Sequence, residues 1–172
     1  MKKLLVVVDM QNDFIDAALG TAEAVAIVPH VVEKIQNWDG EICCTLDTHG
    51  KNYLETNEGR HLPVPHCIAG TAGHDLHPEV ARAMGEGVKC FSKGTFGSSA
   101  LADYIAQGGY DYIEFVGLCT DICVVSNAIL AKAAAPECRI AVDASCCAGV
   151  TPASHAAALT TMAMCQIDIL GQ

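Results

Sequence analysis

Two cysteines four residues apart lie where an apolar run passes directly into a helical segment: Val116-Gly117-Leu118-Cys119-Thr120-Asp121-Ile122-Cys123. The first turn of a helix carries unpaired N–H groups and a partial positive potential. A thiolate is stabilised there, so its pKa falls and it becomes a nucleophile near neutral pH. The same N–H groups can receive the oxyanion that forms when sulfur attacks a carbonyl. Packing in a core is the commoner use of cysteine, and a disulfide across one helical turn is a third use of this pair. Asp9 and Lys93 shift the weighting toward catalysis. A nucleophilic thiol needs a proton acceptor, and a leaving amine needs a proton. One carboxylate can do both, while a nearby lysine lowers the thiol pKa and fixes the carboxylate.

These residues can meet only if the fold brings them together. Leu4 to Val8 reads as a strand ended by Asp9, and Ala22 to Trp38 carries apolar residues at helical spacing. Strands follow at Glu41 to Leu46, Gly87 to Ser92, Asp111 to Val116, Arg139 to Val142 and Cys165 to Leu170. Helices are expected over His77 to Met84, Ser98 to Gln107, Cys119 to Ala135 and Pro152 to Met164, and residues 47 to 75 read as one long loop. Repeated strand–helix alternation predicts a three-layer α/β/α architecture with a mostly parallel, Rossmann-like sheet. In such sheets ligands bind at the carboxyl ends of the strands. Asp9, Asp47, Lys93 and Leu118-Cys119 all fall at such ends.

The chain of 172 residues, 51% of them hydrophobic, reads as a single domain over residues 1–172 with a sizeable core. A net charge of −10 argues against nucleic-acid binding and against attraction to an anionic membrane. No apolar run approaches the ~20 residues of a membrane span. The first apolar run breaks at Asp9 after five residues, so it reads as a strand and not as a signal peptide. Ten cysteines without a Cys-x-x-Cys motif read mostly as buried free thiols in a reducing cytoplasm.

Three segments together resemble the isochorismatase-like cysteine hydrolases, which include nicotinamidases. They are Val7-Val8-Asp9-Met10-Gln11-Asn12-Asp13-Phe14, Phe91-Ser92-Lys93-Gly94 and Gly117-Leu118-Cys119-Thr120-Asp121-Ile122-Cys123-Val124. They occur in the family's order and span nearly the whole chain. The resemblance implies that family's hydrolase fold and an Asp–Lys–Cys triad of Asp9, Lys93 and Cys123. It also implies a cis peptide at Leu118–Cys119 and an oxyanion hole from the backbone N–H groups of Cys119 and Cys123. The expected reaction is hydrolysis of a small carboxamide to acid and ammonia through a thioester.

The resemblance extends to a divalent metal, zinc, iron or manganese. Asp47, His49 and His66 match the ligand positions in Asp47-Thr48-His49 and Pro63-Val64-Pro65-His66-Cys67. Glu58 is the preferred further ligand, with Glu55 and His61 as alternatives. Phe14, Leu62 and Leu118 are expected to line the substrate pocket, Leu62 standing where nicotinamidases usually have an aromatic. Gln11 could line the mouth, and Asn12 and Asp13 are expected to bond locally. His30, His74, His77 and His155 read as surface or structural residues. The short chain leaves the pocket open, so a homo-oligomer that completes it is expected. Other readings are hydrolysis of another small amide or a vinyl ether, and a non-catalytic metal-binding scaffold of the same fold.

Overall fold

The computed structural model describes residues 1–172. Its strands are β1 (Lys3–Val8), β2 (Glu41–Asp47), β3 (Lys89–Lys93), β4 (Tyr112–Leu118), β5 (Arg139–Ala148) and β6 (Asp168–Leu170). They form one parallel sheet in the order β3-β2-β1-β4-β5-β6. The helices are α1 (Asn12–Ile15), α2 (Ala22–Gln36), α3 (Asn57–His61), α4 (Pro78–Met84), α5 (Ser99–Gly108), α6 (Val125–Ala134) and α7 (Pro152–Met164). No helix is long and apolar enough to cross a membrane.

Strand β1 is apolar throughout because both faces of the sheet are covered. Leu4, Val6 and Val8 enter the core shared with Leu101 and Ile105 of α5, Ala128 of α6 and Met162 of α7. Leu5 and Val7 enter the opposite core, with Ile27 and Val31 of α2 and Val80 of α4. Side-chain caps set several helix starts, since a capping oxygen satisfies an N–H that the helix leaves open. Thr21 accepts from the Ala24 N–H at 3.0 Å, and Ser98 from the Leu101 N–H at 3.1 Å. Thr151 and Ser154 cap each other's backbone N–H, both at 3.1 Å.

The strand order reverses between β1 and β4, which is where a doubly wound sheet opens a crevice. Asp9 leaves β1 at that point, in a left-handed conformation with φ 47°. Beside it, Gly117 of β4 pairs with Val8 at φ 116°. A Cβ at Gly117 would overlap the Val8 carbonyl oxygen. Glycine is therefore required for β1 and β4 to approach this closely.

Five local expectations need correction. The 47–75 loop contains a tight turn at Tyr53–Glu55 and helix α3, both placed by tertiary contacts and not by periodicity. Helix α1 was not anticipated, and β5 runs six residues past Val142. That extension contains an irregularity: β4–β5 register passes from Phe115–Val142 to Gly117–Cys147. The segment expected as helix from Cys119 begins as a wider turn, Thr120–Val124, closed by the Val124 N–H to the Cys119 carbonyl at 3.0 Å. Finally, Cys44 and Cys90 are register partners on β2 and β3 and are joined as a disulfide, leaving eight cysteines free. Strand pairing sets those two side by side, and no local pattern reports it.

Candidate active site

Three strand ends deliver Asp9, Lys93 and Cys123 to one point. Lys93 Nζ lies 2.6 Å from Asp9 Oδ2 and 3.4 Å from Cys123 Sγ. All three are buried: Asp9 is 0%, Lys93 5% and Cys123 5% exposed. Asp9 Oδ1 accepts a hydrogen bond from the Thr45 hydroxyl at 2.6 Å. Asp9 Oδ2 has no directed hydrogen bond and meets Lys93 as an ion pair. A buried carboxylate oxygen with a free lone pair beside a thiol is a ready proton acceptor. The peptide bond between Leu118 and Cys119 is cis, as the resemblance implied.

The electrostatics differ from the sequence expectation at the thiol. Burial pushes the Cys123 thiol well above its ordinary range, and the Asp9 charge pushes it further, against the pull of Lys93. A fully desolvated thiolate costs more than the ammonium returns. Cys123 therefore rests as a thiol and not as a preformed thiolate. Burial is also the largest influence on Asp9, raising its carboxyl; Lys93 opposes this and Asp47 adds to it. Burial disfavours the charged form of Lys93, but the facing Asp9, Cys123 and Asp47 more than reverse this, and its pKa is raised. The resting arrangement is a protonated thiol beside an ammonium and a carboxyl group whose proton affinity burial has raised.

Asp47 links this triad to a second cluster. Its Oδ1 lies 3.3 Å from Lys93 Nζ, while Oδ2 lies 2.8 Å from His49 Nε2 and 3.4 Å from His66 Nε2. Glu58 Oε1 is 3.5 Å from His49 Nε2 and 3.6 Å from His66 Nε2. One ligand atom from each of Asp47, His49, Glu58 and His66 lies within 4.8 Å of the others. Two imidazoles and two carboxylates converging in this way fit a divalent metal ion. His66 Nδ1 lies 2.8 Å from the Val64 carbonyl oxygen, which directs Nε2 into the cluster. Burial pushes Asp47 up, but the His66 hydrogen bond and the Lys93 charge outweigh it, and its carboxyl is held below the usual range. Glu58, not Glu55 or His61, is the acid brought in; the exposed His61 ring lies 2.8 Å from the Asn57 carbonyl oxygen instead.

Several supports of this cluster escaped sequence reading. Gln11 is not at the mouth. It is fully buried, accepting the Asp47 N–H at 2.8 Å and donating to the Asp47 carbonyl at 2.9 Å. Tyr53 packs its ring against both His49 and His66, with centroids 4.8 and 4.9 Å away. Asn12 and Asp13 were expected to bond locally; Asp13 does so, accepting the Ala18 N–H at 3.4 Å, and both residues also reach a distant segment. Asn12 donates to the Ala72 carbonyl at 2.7 Å, and Asp13 accepts the Cys67 N–H at 2.7 Å. His30, His74 and His155 make structural contacts, to the Ser145 carbonyl and to the Thr48 and Thr120 hydroxyls.

A cavity of about 230 Å³ opens onto both clusters. Phe14, Leu62 and Leu118 line it as expected, along with Cys119, Cys123, Asp47, Glu58 and His66. Ile122 completes an apolar wall with Phe96 and Val150, two residues that no motif had marked. The arrangement suits attack by sulfur on a small uncharged carbonyl compound, with a carboxylate beside it to move the proton.

Residues 3–171 match the isochorismatase domain family. The chain is 29% identical over 188 aligned positions to the nicotinamidase/pyrazinamidase of Mycobacterium tuberculosis (strain ATCC 25618 / H37Rv), covering 98% of each chain. It is 26% identical to the nicotinamidase of Acinetobacter baylyi (strain ATCC 33305 / BD413 / ADP1), over 81% of this chain and 79% of that one. Among solved structures, the pyrazinamidase of Pyrococcus horikoshii in complex with zinc superposes with a TM-score of 0.86 at 26% identity, covering both chains fully.

Proposed function

The chain belongs to the isochorismatase family, and from that premise we propose that it is a nicotinamidase-like cysteine hydrolase that cleaves a small carboxamide to acid and ammonia. The observation that carries this is the meeting of Asp9, Lys93 and Cys123 at the foot of an apolar cavity. The names of the relatives support the substrate class. Residues 1–172 work as one domain in this reading.

Cys123 Sγ attacks the carboxamide carbon as its proton passes to Asp9. The backbone N–H groups of Cys119 and Cys123, at the opening turn of the helix, receive the developing oxyanion. The C–N bond then breaks. The leaving nitrogen takes the proton from Asp9 and departs as ammonia, leaving a thioester on Cys123. Water attacks the thioester and gives a proton to Asp9. The acid leaves as the C–S bond breaks, and Cys123 regains its proton. Lys93 stays charged throughout and holds the Asp9 carboxylate against the cost of burial. Phe14, Leu62 and Leu118 hold the apolar part of the substrate. Asp47, His49, Glu58 and His66 would hold zinc, iron or manganese, which when bound supplies Lewis acidity toward a ring nitrogen or a water molecule.

A cytoplasmic setting is part of this reading: eight cysteines stay free, as a reducing compartment would keep them, while the joined pair Cys44–Cys90 runs against it. A homo-oligomer that completes the open pocket is also part of this reading. Sedimentation velocity and cell fractionation test these two parts. The activity is tested by ammonia release over a panel of carboxamides, nicotinamide and pyrazinamide first, with and without a chelator. Release from an aromatic carboxamide, slowed by the chelator, is expected. No release from any aromatic carboxamide overturns the substrate class.

A further inference from the structure

Phe96 is a large apolar residue that shares a cavity wall with the nucleophile. It stands in the turn between β3 and α5 and lines the cavity with Cys123, yet it is 43% exposed. Asn127 of α6, only 1% exposed, fixes that turn. Its Nδ2 donates to the Phe96 carbonyl at 3.1 Å and to the Cys123 carbonyl at 2.8 Å, and its Oδ1 accepts the Ser98 N–H at 2.9 Å. One buried amide thus ties the backbone of the nucleophile to the Phe96 turn. The backbone that carries the Phe96 side chain is therefore preorganised relative to the backbone of Cys123.

Phe96 has two apolar companions on the cavity rim, Leu62 at 39% and Val150 at 53% exposed. The lining contains no lysine or arginine, and its acids are Asp47 and Glu58. A substrate carboxylate reaching the rim would find no lysine or arginine side chain to pair with, only apolar contacts. With the carboxamide carbon at Cys123, the part of the substrate directed away from the amide meets the rim. Three apolar side chains left open to water gain contact only if that part is itself apolar.

We propose that Phe96, with Leu62 and Val150, is a specificity determinant that makes this site favour uncharged aromatic carboxamides bearing an apolar substituent on the ring edge away from the amide. The proposal rests on the amidase reading. Its test compares kcat/KM for 5-methylnicotinamide, nicotinamide and 5-carboxynicotinamide in the wild type, Phe96→Ala and Phe96→Leu. One added methyl group in an apolar site changes kcat/KM about tenfold. The methyl compound is expected to exceed the bare ring by about that factor, and the carboxylate to fall below both. Phe96→Ala is expected to bring the methyl-to-bare ratio toward one, with Phe96→Leu in between. A wild-type ratio at or below one, or a ratio unchanged in Phe96→Ala, overturns the proposal while the amidase reading stands. Failure to hydrolyse all three compounds and every other aromatic carboxamide overturns the amidase reading, and the proposal with it.

Discussion

Replacing Asp9 with asparagine is expected to lower kcat/KM by about 10²–10⁴-fold, the range for loss of a general acid–base group. Asparagine keeps the volume and can still accept from the Thr45 hydroxyl, which lies 2.6 Å from Asp9 Oδ1. It cannot take up the thiol proton, and its amide group sets N–H donors toward Lys93. The Asp9 charge is also one of the influences that raise the Cys123 thiol, with Lys93 opposing it. Asp9→Asn should therefore lower the thiol pKa while turnover collapses. Iodoacetamide labelling of Cys123 against pH and ammonia release, measured on the same protein, separate the two effects. Because unfolding would also expose Cys123 and lower its thiol pKa, the variant must show the wild-type circular dichroism spectrum and melting transition for the comparison to count. Turnover within tenfold of the wild type would show that Asp9 is not the proton carrier.

The second large effect is expected at a residue with no side chain. Gly117→Ala puts a Cβ into the Val8 carbonyl oxygen on a residue whose φ is 116°. Backbone strain and overpacking together are expected to cost about 3 kcal/mol. For a chain of this size that corresponds to a melting temperature lower by about 10 °C. Because Val8 precedes Asp9 and Gly117 precedes Leu118-Cys119, relief of the clash by moving the strands apart would separate Asp9 from Cys123. Activity in the folded variant should fall as well. Melting followed by circular dichroism, with ammonia release below the transition, checks both. An alanine variant that melts and turns over like the wild type would refute the close approach of β1 and β4.

The sheet was legible because its strands are short apolar runs whose character does not depend on distant contacts, as Leu4–Val8 shows. The meeting of Asp9, Lys93 and Cys123 was legible because a parallel sheet gathers its strand ends at one side, so these residues could be related before any distance was known. Gln11, Tyr53 and Phe96 were not legible. Their roles depend on contacts across the chain: Gln11 is bonded to Asp47, 36 positions away, and Asn127 reaches the Phe96 carbonyl across 31. The turn that brings Glu58 under His49 and His66 is likewise fixed by packing around Tyr53. The thiol pKa was misjudged for a related reason. The helix start is local and visible in the sequence, whereas burial of Cys123 is the largest influence on the sulfur and is a property of the assembled fold.

Trapping the covalent intermediate tests the role of Cys123 most directly. Protein mixed with excess carboxamide, quenched in acid within the first turnovers and digested, is read by peptide mass spectrometry. The predicted result is an acyl group on the peptide containing Cys123, at that residue alone, and no ammonia release by Cys123→Ala. Wild-type ammonia release by Cys123→Ala, or acylation of a different cysteine during turnover, would contradict it.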